Sequence, residues 1–259
     1  MLILTILLLA AVFLITTVLL LTYEGAGRLG HWIWGPARAP QWTSVANAPI
    51  DAALESANLS GDRFLEWLHI PYSVHFRPHS PGGQVNFLTH RLTLGPTQHQ
   101  ATLDALLCVA HESVHVTQGQ RWPIHTRIQL LAGVGAFFSA IATGIFLAVG
   151  HPHWALGCAS LAALGMAYHL PWHLYLETDA TQPVPAVLHA FLQDPTNREH
   201  PLDPTLIPEI ERQITDFTTN TLLHYPAQST TVVLQNLCFG LFAWGLTFYF
   251  VRWMLPHLS

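Results

Sequence analysis

The chain has 259 residues, of which 51% are hydrophobic and only 10% charged, with a formal net charge of −5. Soluble domains average about 25% charged residues, so this deficit points to a membrane protein, and the absence of any basic run argues against a nucleic-acid partner. The three cysteines, Cys108, Cys158 and Cys238, have no metal-ligand spacing and read as small apolar helix residues rather than a disulfide framework.

Residues 2–23 are nearly all apolar, about 20 residues, enough to cross a bilayer. No basic side chain precedes this run, so it reads as a retained anchor rather than a cleaved signal peptide. The main polar region follows. Residues 48–58 and 61–68 read as short amphipathic helices. Residues 73–76, 84–88 and 91–94 read as short strands, with turns at Pro78 and at Pro81, Gly82 and Gly83. We expect 91–94 to be the edge strand that holds an extended peptide by main-chain hydrogen bonds.

The most informative stretch comes next. His111, Glu112, Ser113, Val114 and His115 form an H-E-x-x-H pattern within 102–118, where Leu103, Leu106, Leu107, Ala110 and Val114 recur at helical spacing. Pro96 and Thr97 suit the start of that helix and Gly119 its end. Residues four apart share a helix face, so His111 and His115 can offer two imidazoles to one metal ion. Glu112, one step around, can serve as base beside a water without ligating the metal.

Residues 128–149 and 154–170 read as two membrane spans joined by a turn at 150–153, and 232–254 as a last span. Two spans separate the motif from Glu177 and Asp179, so the chain returns to the same side and the two segments can meet. Catalytic zinc commonly takes two His and one Glu, which makes Glu177 the expected third ligand on a helix over 174–192. Asp179 points about 200° away on that helix and suits a supporting hydrogen bond to a ligating histidine, although ligation by it stays open. His169 and His173 continue the stripe of Glu177 at four-residue spacing and suit an interface, a second metal or a proton relay.

All ten basic residues are arginine. Seven lie between the first and second spans, two between the third and fourth, and none in the hairpin turn, which places both large loops in the cytoplasm.

The pattern Ala110-His111-Glu112-Ser113-Val114-His115-Val116-Thr117-Gln118, followed by a hairpin and Glu177-Thr178-Asp179-Ala180-Thr181, resembles the YugP-like neutral zinc metallopeptidases. These are membrane proteins with a gluzincin-type site. Val114 stands where that family usually has glycine, and 85–90 replaces its Asp-rich segment. The resemblance implies one Zn2+ held by His111, His115 and Glu177, with Glu112 as base, acting on peptide or protein substrates.

The expected fold is mainly α: an integral membrane helical protein with about four transmembrane helices and a small α+β zincin-like catalytic region. Its parts are an anchor over 1–23, the zincin-like region over 24–127, the hairpin over 128–170, a second catalytic segment over 171–230 and a last span over 231–259. The expected setting is a bacterial-type plasma membrane, multi-pass, with the catalytic loops cytoplasmic. Two alternatives remain: an inactive membrane scaffold, and a di-iron oxidoreductase built on the pairs His111/His115 and His169/His173.

Overall fold

The computed structural model describes residues 48–77 and 83–258. The expected anchor over 2–23 and the turn residues Pro78, Pro81 and Gly82 lie outside them. The described chain is mainly helical. Helices α1 (Ala48–Ser56) and α2 (Gly61–Leu68) precede strands β1 (Ser73–Phe76), β2 (Gln84–Asn86) and β3 (Arg91–Leu94). Helices α3 (Leu103–Arg121), α4 (Pro123–Ala148), α5 (Pro152–Thr181), α6 (Val184–Gln193) and α7 (Ile207–Leu258) follow. Contacts divide these residues into two compact units, one of 48–127 and Tyr175–His224, the other of Ile128–Leu174 and 225–258.

In the first unit local chemistry sets the helix starts. Ser60 caps α2 by accepting a hydrogen bond from the Arg63 amide at 3.2 Å. Thr102 caps α3 in the same way through the Ala105 amide at 3.2 Å, and Asp51 of α1 accepts the Leu103 amide at 3.0 Å. These caps explain why α3 begins at Leu103 and not at the proline-bearing turn upstream, where Pro96 and Thr97 suggested a start. Nor does Gly119 end the helix, which runs on to Arg121. A Cβ at Gly119 would lie 2.7 Å from the Tyr72 hydroxyl and 2.7 Å from Phe87 Cδ1, so the glycine serves close packing rather than termination.

The sheet order is β1-β3-β2. β3 pairs in parallel with β1, Ser73 opposite Arg91, and antiparallel with β2, Val85 opposite Leu92. This corrects the expected edge: β3 is bonded on both sides and carries the fully buried Leu92 and Leu94, whereas β1 and β2 form the borders. The core lies between this sheet and helices α1, α2, α3, α6 and the first turns of α7, with Ile50, Leu54, Phe64, Leu106, Leu188 and Phe191 all fully buried. Phe191 meets Phe64 edge-on at 5.0 Å and Trp67 at 5.5 Å. Trp67 donates from its indole to Asp194 at 3.1 Å, just past the end of α6.

In the second unit the helices are longer than the apolar runs that announced them. α4 starts five residues before the expected span, and the break between α4 and α5 is three residues, because Pro152 already begins α5. α5 continues through Pro171 as far as Thr181, so the expected helix over 174–192 is two: the end of α5, and α6 beyond Gln182 and Pro183. Among the described residues, α4 is long and apolar enough to cross a membrane, with a mean hydropathy of 2.1 and only 11% of that stretch buried. Large apolar side chains are also exposed on α5, among them Trp154, Leu156, Leu161 and Leu164, and on α7 at Leu246, Phe250 and Trp253.

Candidate metal centre

The site lies in the first unit and is built from one face of α3 and the last turn of α5. On α3 the four-residue spacing sets the two imidazoles edge to face, with ring centroids 4.7 Å apart and planes at 88°. Their Nε2 atoms are 3.1 Å apart. Glu177 closes the triangle: Oε2 is 3.4 Å from His111 Nε2 and Oε1 is 3.6 Å from His115 Nε2. Among the described residues these three make the group of His, Cys, Asp and Glu side chains whose ligand atoms all lie within 4.8 Å of one another.

The spacing can be tested against a metal. A tetrahedron with bonds of 2.0–2.1 Å has edges of about 3.3–3.4 Å. The observed separations of 3.1, 3.4 and 3.6 Å, the last two to different oxygens of Glu177, lie near that edge, so a small rotation of the carboxylate would let the donors hold a zinc-sized ion. The donor set of two imidazoles and one carboxylate suits zinc, copper or iron, and the geometry does not choose among them.

Each imidazole is held from behind. His115 Nδ1 is 2.7 Å from Gln118 Oε1, and His111 Nδ1 is 3.1 Å from the Thr181 hydroxyl. Gln118 in turn donates to the Leu176 carbonyl at 2.8 Å and to Asp179 Oδ2 at 2.9 Å. Asp179 is therefore one residue removed from His115: it holds the glutamine that holds the histidine. Thr181 and Gln118 had no assigned role in the sequence, yet spacing could have found them. Thr181 is four residues after Glu177, on the same helix face, and Gln118 is three after His115.

Electrostatics follow from burial and from this clustering. Burial alone would depress the His115 imidazole, but hydrogen bonding and the charges of Glu177 and Glu112 outweigh it and push it up to about 9. For Glu177 burial works upward, yet the hydrogen bonds and charges of His111 and His115 hold its carboxyl well below the usual carboxylate range. Glu112 is raised, chiefly by burial, with His115 and His111 opposing and Glu177 adding. Its carboxylate is packed under Gly83: a Cβ there would overlap Glu112 Cγ and lie 2.8 Å from Oε1. Burial, reinforced by Glu112, pushes the Cys108 thiol up to about 12, so without a metal it stays protonated at neutral pH.

The remaining histidines of the stripe lie in the other unit. His169 and His173 stack at 5.9 Å with planes 8° apart. His169 Nδ1 is 3.1 Å from the Gln129 carbonyl and 3.2 Å from its amide nitrogen, which ties α5 to α4.

The chain matches no known family model, and no curated protein or solved structure is found to be similar to it.

Proposed function

We propose that this protein is a membrane-bound zinc metallopeptidase in which His111, His115 and Glu177 hold one Zn2+ and Glu112 is the base. The observation that carries the reading is the three-ligand triangle with a buried carboxylate on the adjacent helix position. The same residues give the two motifs their resemblance to the YugP-like peptidases, which favours a peptidase over other uses of such a centre.

Bound zinc would supply Lewis acidity, polarising a scissile carbonyl and acidifying a water. The chain's own groups do the rest. With zinc bound, Glu177 would bring one negative charge and the deprotonated histidines none, so the centre would keep a net positive charge. Glu112, held by burial above the ordinary carboxylate range, accepts the water proton and delivers it to the departing amine as the C–N bond breaks and the C–O bond forms. β2 borders only β3 among the described strands, and Gly83, the residue before it, covers Glu112. An extended peptide added along the outer edge of β2 would pass beside the base. This replaces β3 as the substrate strand.

The membrane setting rests on the apolar, unburied face of α4 and the exposed aromatic and leucine side chains of α5 and α7. Multiple spans and a cytoplasmic site are part of the proposal, the latter from the arginine distribution. The di-iron alternative would need a second histidine pair at the centre. Among the described residues the clustered group contains only His111, His115 and Glu177, and His169 is engaged with Gln129.

The test is elemental analysis of the detergent-purified full chain. About one zinc per chain is expected. It should be lost in Glu177→Ala and retained, without peptide hydrolysis, in Glu112→Gln. Two irons per chain, or no metal, would overturn the reading.

A further inference from the structure

Hydrogen-bond polarity around His115 admits one arrangement. The Gln118 side chain sits against two oxygens, the Leu176 carbonyl at 2.8 Å and Asp179 Oδ2 at 2.9 Å. A carbonyl and a carboxylate accept and do not donate, so the amide nitrogen belongs there, with one hydrogen for each. The reversed amide would set its oxygen against both. Gln118 Oε1 must then face His115 Nδ1, at 2.7 Å, and an oxygen at that distance requires hydrogen on Nδ1. A neutral imidazole with hydrogen on Nδ1 has its free lone pair on Nε2. That is the atom 3.1 Å from His111 Nε2 and 3.6 Å from Glu177 Oε1. Gln118 is only 2% exposed, which leaves little room for a water to substitute for any of these partners.

We propose that Gln118 and Asp179 form a polarity lock: positioning residues that dictate which nitrogen of His115 is offered to the metal. Asp179 and Leu176 orient the glutamine, and the glutamine orients the imidazole. The lock rests on the metal-site reading for its purpose, but its wiring can be measured separately. Metal-ligating histidines commonly donate directly to a carboxylate or carbonyl. Here an amide is interposed, and this makes a specific exchange possible. Gln118→Glu alone would place a carboxylate oxygen against Asp179 and Leu176, three acceptors with no donor. Combining it with Asp179→Asn returns a donor to the bond between positions 118 and 179 and keeps an oxygen facing His115.

The experiment uses the full chain in detergent, stripped of metal, with zinc affinity read by competition against a chromophoric chelator. The His115 tautomer is read from side-chain nitrogen resonances of histidine-labelled protein in alkaline buffer, and melting temperatures establish that each variant is folded. Gln118→Glu is expected to weaken zinc binding about 10–100-fold. Asp179→Asn alone, which keeps an accepting oxygen, should stay within a few-fold of the unaltered chain. The double variant should recover most of what Gln118→Glu loses, whereas purely structural roles would make the losses add. A double variant no better than Gln118→Glu, or hydrogen on Nε2 of His115 in the metal-free chain, would overturn the lock. Hydrogen on Nδ1 in a chain that binds no zinc would keep the wiring and sink the metal-site reading instead.

Discussion

Gly83→Ala should separate catalysis from metal binding. A Cβ at this position would stand 2.8 Å from Glu112 Oε1 and closer still to Cγ. Ordinary contact begins near 3.4 Å, so the carboxylate must withdraw by at least about 0.6 Å, and the stem by more. Glu112 is only 9% exposed and is rooted in the middle of α3, so it has little space in which to recoil. Displacing a catalytic group by about 1 Å commonly lowers the rate on the order of 100-fold, equivalent to roughly 2.7 kcal/mol in the barrier. The three atoms nearest the new methyl all belong to Glu112. The expected outcome is therefore full zinc content with kcat/KM down about 100-fold, read by mass-spectrometric cleavage of a peptide library beside elemental analysis. Wild-type rates in Gly83→Ala would refute the placement of Glu112 as base under this residue. Loss of zinc would show that the packing over Glu112 also shapes the ligand triangle.

Three further outcomes are expected. Phe191→Ala removes a fully buried ring that joins α6 to Phe64 and Trp67 and should cost about 3–5 kcal/mol, seen as a lowered melting temperature by tryptophan fluorescence; a loss under 1 kcal/mol would contradict the packing. Zinc uptake at pH 7 should release a proton, because His115, raised to about 9 without metal, must shed one to ligate. Affinity should thus climb about tenfold per pH unit towards 9 and then level off, as titration calorimetry in buffers of different ionisation heat would report. Phe138→Arg places a charge on the exposed face of α4 and should disfavour insertion by about 3 kcal/mol; the chain should resist carbonate extraction from membranes and the variant much less so.

The legible parts of this chain were those set by near neighbours in sequence. β1 and β3 fall where alternation and turn residues put them, and α3 carries the motif in the expected register. Glu177 comes to the two histidines, as counting the apolar runs between them suggested. The misreadings arose where distant residues override a local rule. Gly119 looks like a helix stop, but it is there because Tyr72 and Phe87 approach α3 closely. Sheet order depends on β1 reaching past β2 to pair with β3, which no alternation pattern within a strand encodes. The span expected to end at 170 and the helix expected to start at 174 are one element, because α5 runs through Pro171. Burial on α3 likewise exceeds what its apolar spacing marks, because Glu112, Ser113, His115 and Gln118 are polar yet buried.

His111 and His115 come from one helix and Glu177 from another roughly sixty residues later, so an ion held by all three would tie off the whole intervening chain. A covalent cross-link closing a loop of that length would stabilise by about 4 kcal/mol through the entropy it removes from the unfolded chain. A metal staple acts in the same sense but reversibly, with a strength set by the free ion concentration. On the zinc reading, the cofactor would then govern the protein's lifetime as well as its chemistry. Scarcity of the ion would loosen the end of α5, expose that segment to other proteases, and lower the amount of enzyme along with its occupancy.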